Sequence, residues 1–569
     1  MNPIQYVNKY AFRSAPGAYG LCLMLYLASG AQTFVSLKFT EYNINTAYGL
    51  LTGEIRLEEA LKGILFYAVL TLFFMFLSCM QTLAENKLLL KLSYRYEKEL
   101  NGALASAAWE KYESHGDALK IQDCRTKSLD VMKRITSGSM RLMGFLPLLF
   151  VYGYFLLRIN PAILAVYLIL LFGFQGIGNR LKYKTRHYWA EIKPYTQKQS
   201  YFFKMCGDKI SHQEFQFNRL YDYVAENWER AYDEEIRRRM KIHKSIELGM
   251  KSAQILFYLP RFIMLTYIVY GILEGFFQVG FFVMANTLMA NISNTLGEIQ
   301  EIRTLFQSQG SFVESFQEVM TWEEENGGTE SGRVRMQDVS YRYPQSEKPA
   351  LDHLNLNIGE RERLAIVGEN GSGKTTCVNL LLSLIRPSSG IAETCGMEKF
   401  SVILQDFAQY QATVMENIEF GYPKKEWSEE EIWELLEKVG LKEEIKRLPQ
   451  GIHTQLGQLD HGVELSKGQW QRLAVARLLA NPEARIWILD EPTAYLDPLS
   501  EIEIYDLIYD CAGDRTVFFI SHRLGFAKKA DRILVFQKGR IAEEGAHDEL
   551  MREGGLYAQM YQLQKEWYS

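Results

Sequence analysis

The residues of this chain best suited to chemistry are Gly368-Glu369-Asn370-Gly371-Ser372-Gly373-Lys374-Thr375, followed by Thr376 and preceded by the apolar run Leu364-Ala365-Ile366-Val367. The order apolar run, glycine-rich loop, helical pattern reads as a strand, a phosphate-binding loop and a helix. Gly368, Gly371 and Gly373 let the backbone N–H groups of the loop turn inward around phosphates, with Asn370 and Ser372 between them. The N-terminus of the following helix adds a positive dipole there. Lys374 can reach the outer phosphates, and the Thr375 hydroxyl is placed to ligate Mg2+. A nucleotide triphosphate with its metal is the ligand this spacing asks for.

A second element stands about 120 residues on. The run Ile486-Trp487-Ile488-Leu489 ends in Asp490-Glu491. A strand ending in two carboxylates puts Asp490 where it can hold Mg2+, and Glu491 where it can orient and polarise a water at the outermost phosphate. Strands often end in acids, so this run gains meaning from the loop before it. Between the two lies Glu464-Leu465-Ser466-Lys467-Gly468-Gln469-Trp470-Gln471-Arg472. It resembles the Leu-Ser-Gly-Gly-Gln signature of the ABC transporter ATPases, and the resemblance extends from about residue 333 to 565. On that resemblance Tyr343 is similar to the aromatic that stacks on adenine and Gln405 to the Q-loop glutamine, which also approaches the metal. Asp497 is similar to the D-loop aspartate, and His522, in Ile520-Ser521-His522-Arg523, to the switch histidine. The resemblance implies ATP and Mg2+ as cofactors, with Thr375, Gln405 and Asp490 at the metal and Glu491 and His522 as the catalytic pair. It also implies that Ser466, Gly468 and Gln469 act on nucleotide held by an opposing chain.

The elements that must carry this site occupy the second half of 569 residues, too many for one ordinary core. Net charge is −5, from 63 basic and 68 acidic residues, so nothing marks a nucleic-acid-binding protein. The seven cysteines show no Cys-x-x-Cys spacing, which speaks for reduced thiols rather than disulfides or a metal site. Apolar residues concentrate before about residue 300. Six runs there are long enough, or nearly so, to cross a bilayer that needs about 20 residues: 16–37, 63–84, 142–157, 161–177, 252–273 and 275–297. The long segments 85–141 and 178–251 are rich in Lys and Arg, while 38–62 is short and carries four acidic against three basic residues. The positive-inside rule therefore puts both termini, both long loops and the ATPase half in the cytoplasm, and the runs in a plasma (inner) membrane. Arg261, after Pro260 inside an apolar run, should face a partner or a polar cavity rather than lipid. Asn286, Asn291 and Asn294 read first as polar links between helices.

Glu323 to Gly332 is acidic, glycine-containing and without apolar periodicity, which marks a linker. The expected division is thus 1–320 helical, 321–332 linker and 333–569 nucleotide-binding. The fold class is an all-α six-helix transmembrane domain followed by an α/β P-loop ABC ATPase domain. The helical half looks like the transmembrane domain of ABC exporters, with coupling helices expected near Ser114–Leu119 and Arg219–Asn227. The resemblance implies a half-transporter that exports an amphipathic peptide, lipid or drug-like substrate as a dimer. Import of a siderophore-type ligand and ATP-gated regulation without pumping are the alternatives. Lys467 stands where the family has glycine, and Gln458 where exporters often carry glutamate. Lys467 tilts the expectation from a homodimer towards a heterodimer. About 15 residues precede the first apolar run, with no room for a Cys-His peptidase domain.

Overall fold

A computed structural model describes the chain except for residues 1, 160, 163–164, 166–193, 197, 323–333, 344–345, 395–398, 459–460, 494–495, 522 and 569. Its residue contacts divide it into two compact units, one of residues 1–105 and 119–322, the other of 106–118 and 323–569.

The first unit is helical. Its elements are α1 (Pro3–Ser14), α2 (Pro16–Thr52), α3 (Leu57–Ser106), the short α4 (Glu110–Glu113) and α5 (His115–Asp123), which lead into the other unit and back, then α6 (Leu129–Ile159), α7 (Lys209–Asn218), α8 (Tyr221–Leu273), α9 (Val279–Ser308) and α10 (Gly310–Val319). Among the described residues three helical stretches are long and apolar enough to cross a membrane: Pro16–Thr52, Leu57–Ser106 and Gly116–Ile159. Four of the six expected apolar runs fall inside α2, α3, α6 and α8, while 161–177 lies almost wholly outside the described residues. The last helix starts at Val279 rather than 275, because Gly275 takes a left-handed conformation (φ +78°) and closes the end of α8. The polar stretch 38–62 is mostly helix too, since α2 runs on to Thr52. One apolar core joins Leu37, Phe155, Met264, Met284 and Leu288 from four helices. Close crossings use small residues: a Cβ at Gly30 would stand 2.6 Å from the Pro147 Cβ, and one at Gly280 would stand 2.3 Å from the Glu41 carbonyl oxygen. Arg261 donates through Nε and Nη2 to Asn286 Oδ1 at 3.2 and 2.6 Å, so this charge inside an apolar helix is tied to the next one.

The second unit is α/β. Strands β1 (Arg335–Tyr341), β2 (Leu351–Asn357) and β4 (Ser389–Glu393) form an antiparallel sheet ordered β2-β1-β4. The larger sheet has β3 (Arg363–Gly368), β5 (Phe400–Ile403), β6 (Ile486–Asp490), β7 (Thr516–Ile520), β8 (Arg532–Gln537) and β9 (Arg540–Gly545), ordered β5-β6-β7-β3-β8-β9. Every pairing in it is parallel except β8 with β9. Burial on both faces explains the unbroken apolar runs of β3, β6 and β7, as in Thr516-Val517-Phe518-Phe519-Ile520. Around the sheets lie α11 (Lys374–Leu381), α12 (Val414–Glu419), α13 (Glu429–Lys438), α14 (Lys442–Lys446), α15 (Lys467–Leu479), α16 (Pro498–Ala512), α17 (His547–Glu553) and α18 (Leu556–Tyr568). Because β3, β6 and β7 run parallel and side by side, their carboxyl ends open on one edge, where ligands of such sheets bind.

Residues 106–118 depart from the sequence-based division. They sit within the first 320 residues, yet their contacts place them with the α/β unit. The linker expected at 321–332 lies, from Glu323 on, outside the described residues. Near the second expected coupling segment, Arg219 adopts a left-handed conformation (φ +51°) and ends α7, so the separate short helix there is 209–218 and α8 already runs through 221–227.

Candidate nucleotide site

The phosphate loop joins β3 to α11. Gly368 (φ +150°), Gly371 (φ +78°) and Gly373 (φ +106°) all hold conformations that favour glycine. Two are also sterically required: a Cβ at Gly368 would stand 2.4 Å from the Phe536 carbonyl oxygen, and one at Gly373 would stand 2.7 Å from that of Ala350. The loop is held from behind by Gly539 N–H donating to the Ser372 carbonyl at 2.9 Å. Lys374 Nζ donates to the Gly368 and Glu369 carbonyls at 2.8 and 2.9 Å, wrapping the loop around its own ammonium. Burial holds that ammonium below its usual pKa, against the pull of Asp490 and Glu491. The Ser372 hydroxyl is buried and lacks a hydrogen-bond partner, and Thr375 stands exposed at the start of α11. Inward-turned backbone, a buried cation and an unsatisfied hydroxyl are what phosphate oxygens would engage.

Asp490 closes β6 and is 5% exposed. Burial first, then the charge of Glu491, pushes its carboxyl up to about 6, while Lys374 pulls the other way. A buried carboxylate with this deficit of positive charge fits a divalent cation, with the Thr375 hydroxyl and the Gln405 amide oxygen as further hard ligands. Among the described residues no three or more His, Cys, Asp and Glu side chains gather as a metal site by themselves, so a cation here would also need the hydroxyl and amide ligands.

Glu491 sits in a left-handed conformation (φ +50°), which is uncommon for a side chain of its size. Two contacts hold it there: its N–H donates to the Ile520 carbonyl at 2.9 Å, and its carbonyl accepts from Gln471 Nε2 at 3.4 Å. Gln405 Nε2 donates to Glu491 Oε2 at 3.3 Å. Gln405 and the end of β6 therefore meet. Gln471 is the partner that sequence reading passed over; it lies in the quoted signature stretch, two residues beyond the last one given a role. Tyr343 packs edge-on against Tyr341 at 5.0 Å between ring centroids, and its hydroxyl is 3.2 Å from that of Thr376 on α11.

The remaining predicted residues engage locally. Ser466 and Gln469 form a reciprocal capping box, Ser466 Oγ accepting from Gln469 N at 3.2 Å and Gln469 Oε1 from Ser466 N at 2.9 Å. Lys467 and Gly468 occupy the first turn of that helix. Asp497 caps α16 by accepting from Leu499 N and Ser500 N, both at 3.1 Å; the Ser500 hydroxyl first, then the Ser500 and Leu499 N–H groups, hold its carboxyl below the usual range. His522 and the residues Ala494 and Tyr495 lie outside the described residues.

With this geometry in place the chain can be compared with known proteins. The family model for the ABC transporter matches residues 351–494. The chain carries an ABC transporter domain. It is 38% identical over 242 residues to the nisin transport ATP-binding protein NisT of Lactococcus lactis subsp. lactis, covering 40% of each protein. It is 39% identical over 239 residues to the subtilin transport ATP-binding protein SpaT of Bacillus subtilis, covering 40% of this chain and 39% of that one. It is 36% identical over 263 residues to an ATP-dependent lipid A-core flippase of Methylobacillus flagellatus, covering 44% of each. These matches thus span about two fifths of the relatives' length. Over 97% of its length the chain superimposes on 98% of a bacterial Atm1-family ABC exporter solved with ATP bound, with a TM-score of 0.76 and 20% identity. The fold is therefore that of such an exporter, a helical domain fused to an α/β ABC transporter domain.

Proposed function

We propose that this ABC chain is one half of a dimeric exporter that couples ATP hydrolysis to moving an amphipathic peptide, lipid or drug-like molecule across the plasma (inner) membrane. The observation that carries the reading is Glu491, held in a strained backbone at the open edge of the sheet with Gln405 on its carboxylate. The phosphate loop and Lys374 bind the triphosphate, Tyr343 packs on the adenine, and Glu491 orients the attacking water. Thr375, Gln405 and Asp490 would hold Mg2+, which neutralises charge on the β- and γ-phosphates. By their place in the signature stretch at the start of α15, Ser466, Gly468 and Gln469 serve the nucleotide of an opposing half-transporter. Asp497, by its place in the D-loop pattern, lies at the same junction, and His522 takes the switch role from its motif.

The cargo class rests on relatives named for nisin transport, subtilin transport and lipid A-core flipping. The Lys- and Arg-rich loops put the termini and ATPase domain in the cytoplasm. Lys467, a cation in the first turn of a helix where the dipole disfavours it, supports a heterodimeric partner over a second identical chain. The test is ATP hydrolysis by the full chain in lipid, with Glu491→Gln as control. Activity that falls about a hundredfold or more in the variant while ATP binding persists is the expected result. Equal activity in both would sink the assignment of Glu491. Activity that appears only with a second half-transporter present identifies the heterodimer.

A further inference from the structure

Two stretches carry the residues assigned to hydrolysis out of the parallel sheet, and both are fastened to one face of α16. The first leaves β6 as Glu491-Pro492-Thr493. Thr493, 2% exposed, donates from Oγ1 to Glu501 Oε1 at 3.0 Å and stands 3.3 Å from the Tyr505 hydroxyl. The second leaves β7 as Ser521-His522-Arg523. The Ser521 side chain hydrogen-bonds the same Tyr505 hydroxyl, and the Arg523 guanidinium pairs with the other oxygen of Glu501. Arg523 N–H in turn donates to Ser521 Oγ at 3.0 Å. Glu501 and Tyr505 stand at i and i+4 of α16, which a helix presents on one face.

These bonds bear on Glu491 through a short, stiff path. Its left-handed backbone (φ +50°) is strained and persists only where the surroundings over-determine it. The bonds to Ile520 and Gln471 hold its own N–H and carbonyl. Next comes Pro492, whose ring locks φ, and then Thr493, so whatever fixes Thr493 fixes the exit of the chain from Glu491. Tyr505 is itself immobilised: its ring is buried and stacks on Phe526 at 5.0 Å between centroids. Burial pushes its hydroxyl up, which keeps it protonated and able to donate. The Glu501 side chain is mostly buried and shared between a hydroxyl and a guanidinium, bonds of the stronger, charge-assisted kind. A satisfied buried polar cluster specifies one arrangement of the groups that it joins. Here those groups are the chain just past Glu491 and the positions on either side of His522.

We propose that Glu501 and Tyr505 are positioning residues for ATP hydrolysis, holding the stretch that follows Glu491 and the stretch around His522 in one fixed relation. The inference rests on the hydrolysis reading above and adds to it two residues of α16 beyond those assigned from the motifs. Lys374 is bonded to its own loop and not to this cluster, so without the cluster ATP binds as before and turns over more slowly.

The experiment measures kcat and KM for ATP, together with ATP binding, on the full chain in its working dimer in lipid nanodiscs. Tyr505→Phe keeps the ring and removes the hydroxyl, and Thr493→Val keeps the shape. Each should lower kcat by about tenfold, with KM and ATP affinity as in the unaltered chain. Glu501→Ala should cost more, because it also leaves Arg523 without its carboxylate. Thr493→Ser, which restores the hydroxyl, should recover most of the rate. The double variant Thr493→Val, Tyr505→Phe should lose less than the product of the two single losses, since both remove ends of one contact. An unchanged kcat in either single variant, a Thr493→Ser as slow as Thr493→Val, or losses that multiply would overturn the proposal. So would a fall in ATP affinity that matches the fall in kcat, which a merely structural cluster would give. Failure of the parent reading looks different: the unaltered dimer would hydrolyse no ATP, or Glu491→Gln would turn it over as fast.

Discussion

The two units expose their function in opposite ways. In the ATPase unit the telling residues are pinned: Gly368, Gly373 and Glu491 hold backbone conformations that neighbouring carbonyls enforce. In the helical unit the telling feature is what is left uncovered. Helix α3 turns outward Leu61, Leu65, Phe66, Val69, Leu72, Phe73, Met75 and Phe76, an apolar surface that water would not tolerate and lipid would. Helix α9 buries Met284, Leu288, Met289 and Ile292 in its own unit and leaves Ser293, Asn294, Gly297, Glu298 and Glu301 exposed on the opposite side. A polar stripe on a helix of this length cannot face acyl chains, so it faces water or a second chain. The lesson is that one unit is read from strain and the other from the sidedness of its helices.

The pinned side of this comparison is broken most severely at Gly373. Adding one methyl there combines the left-handed penalty of about 1 to 2 kcal/mol with a collision at the Ala350 carbonyl. Gly373→Ala should lower ATP affinity by roughly a hundredfold or more, the factor that about 3 kcal/mol represents. Gly371→Ala makes the sharper contrast. Its φ is also positive, but nothing stands within 4 Å of the added carbon, so only the conformational part of about 1 to 2 kcal/mol remains. Titration of both purified variants with a fluorescent nucleotide separates them, and equal losses would show that the close approach at Gly373 has no weight.

The uncovered side is tested by moving a charge between the two helices. Leu72→Asp puts a carboxylate on the apolar face of α3, where insertion scales assign about 2.5 to 3.5 kcal/mol against it. Asn294→Asp puts the same charge on the polar face of α9. The first should cut the amount of membrane-inserted protein severalfold and the second should leave it near that of the parent, as read by detergent-extracted full-length chain. Equal loss in both would mean that the α9 stripe meets lipid after all.

Much of the ATPase unit was legible in the sequence because its chemistry is local. The loop glycines, Lys374 and Thr375 are consecutive, and the carboxylates close one strand. What escaped were partners supplied by folding. Gln471 is two residues past the signature motif and carries no signal that its amide will reach the Glu491 carbonyl. Ala350, just before β2, and Gly539, in the turn between β8 and β9, press on the loop from outside the motif. Ser466 and Gln469 could have been read as a capping box from their spacing of three, but the catalytic reading of the motif hid the structural one. In the helical unit apolar runs marked where helices lie, not how they cross. Gly30 against Pro147 and Gly280 against Glu41 are close approaches that hydropathy does not encode. Nor could composition show that residues 106–118, inside the helical stretch, pack with the ATPase unit.

The smallest effect concerns protons on a pinned residue. The Asp490 carboxyl rises from an ordinary 3.8 to about 6 because burial disfavours its charge. Between those values the folded chain holds a proton that the unfolded chain has released. The stability this group contributes is therefore present below the lower value and lost as pH rises through about 6. Metal-assisted nucleotide binding should run the opposite way, since a divalent cation needs the ionised carboxylate and competes with the proton for it. Below about pH 6 the Mg2+-dependent part of ATP affinity should fall by about tenfold per pH unit, while affinity measured in EDTA changes far less. Asp490→Asn should flatten the Mg2+-dependent curve without removing the EDTA-resistant binding held by Lys374 and the loop N–H groups. A curve of the same slope in the variant would overturn the assignment of the titration to Asp490.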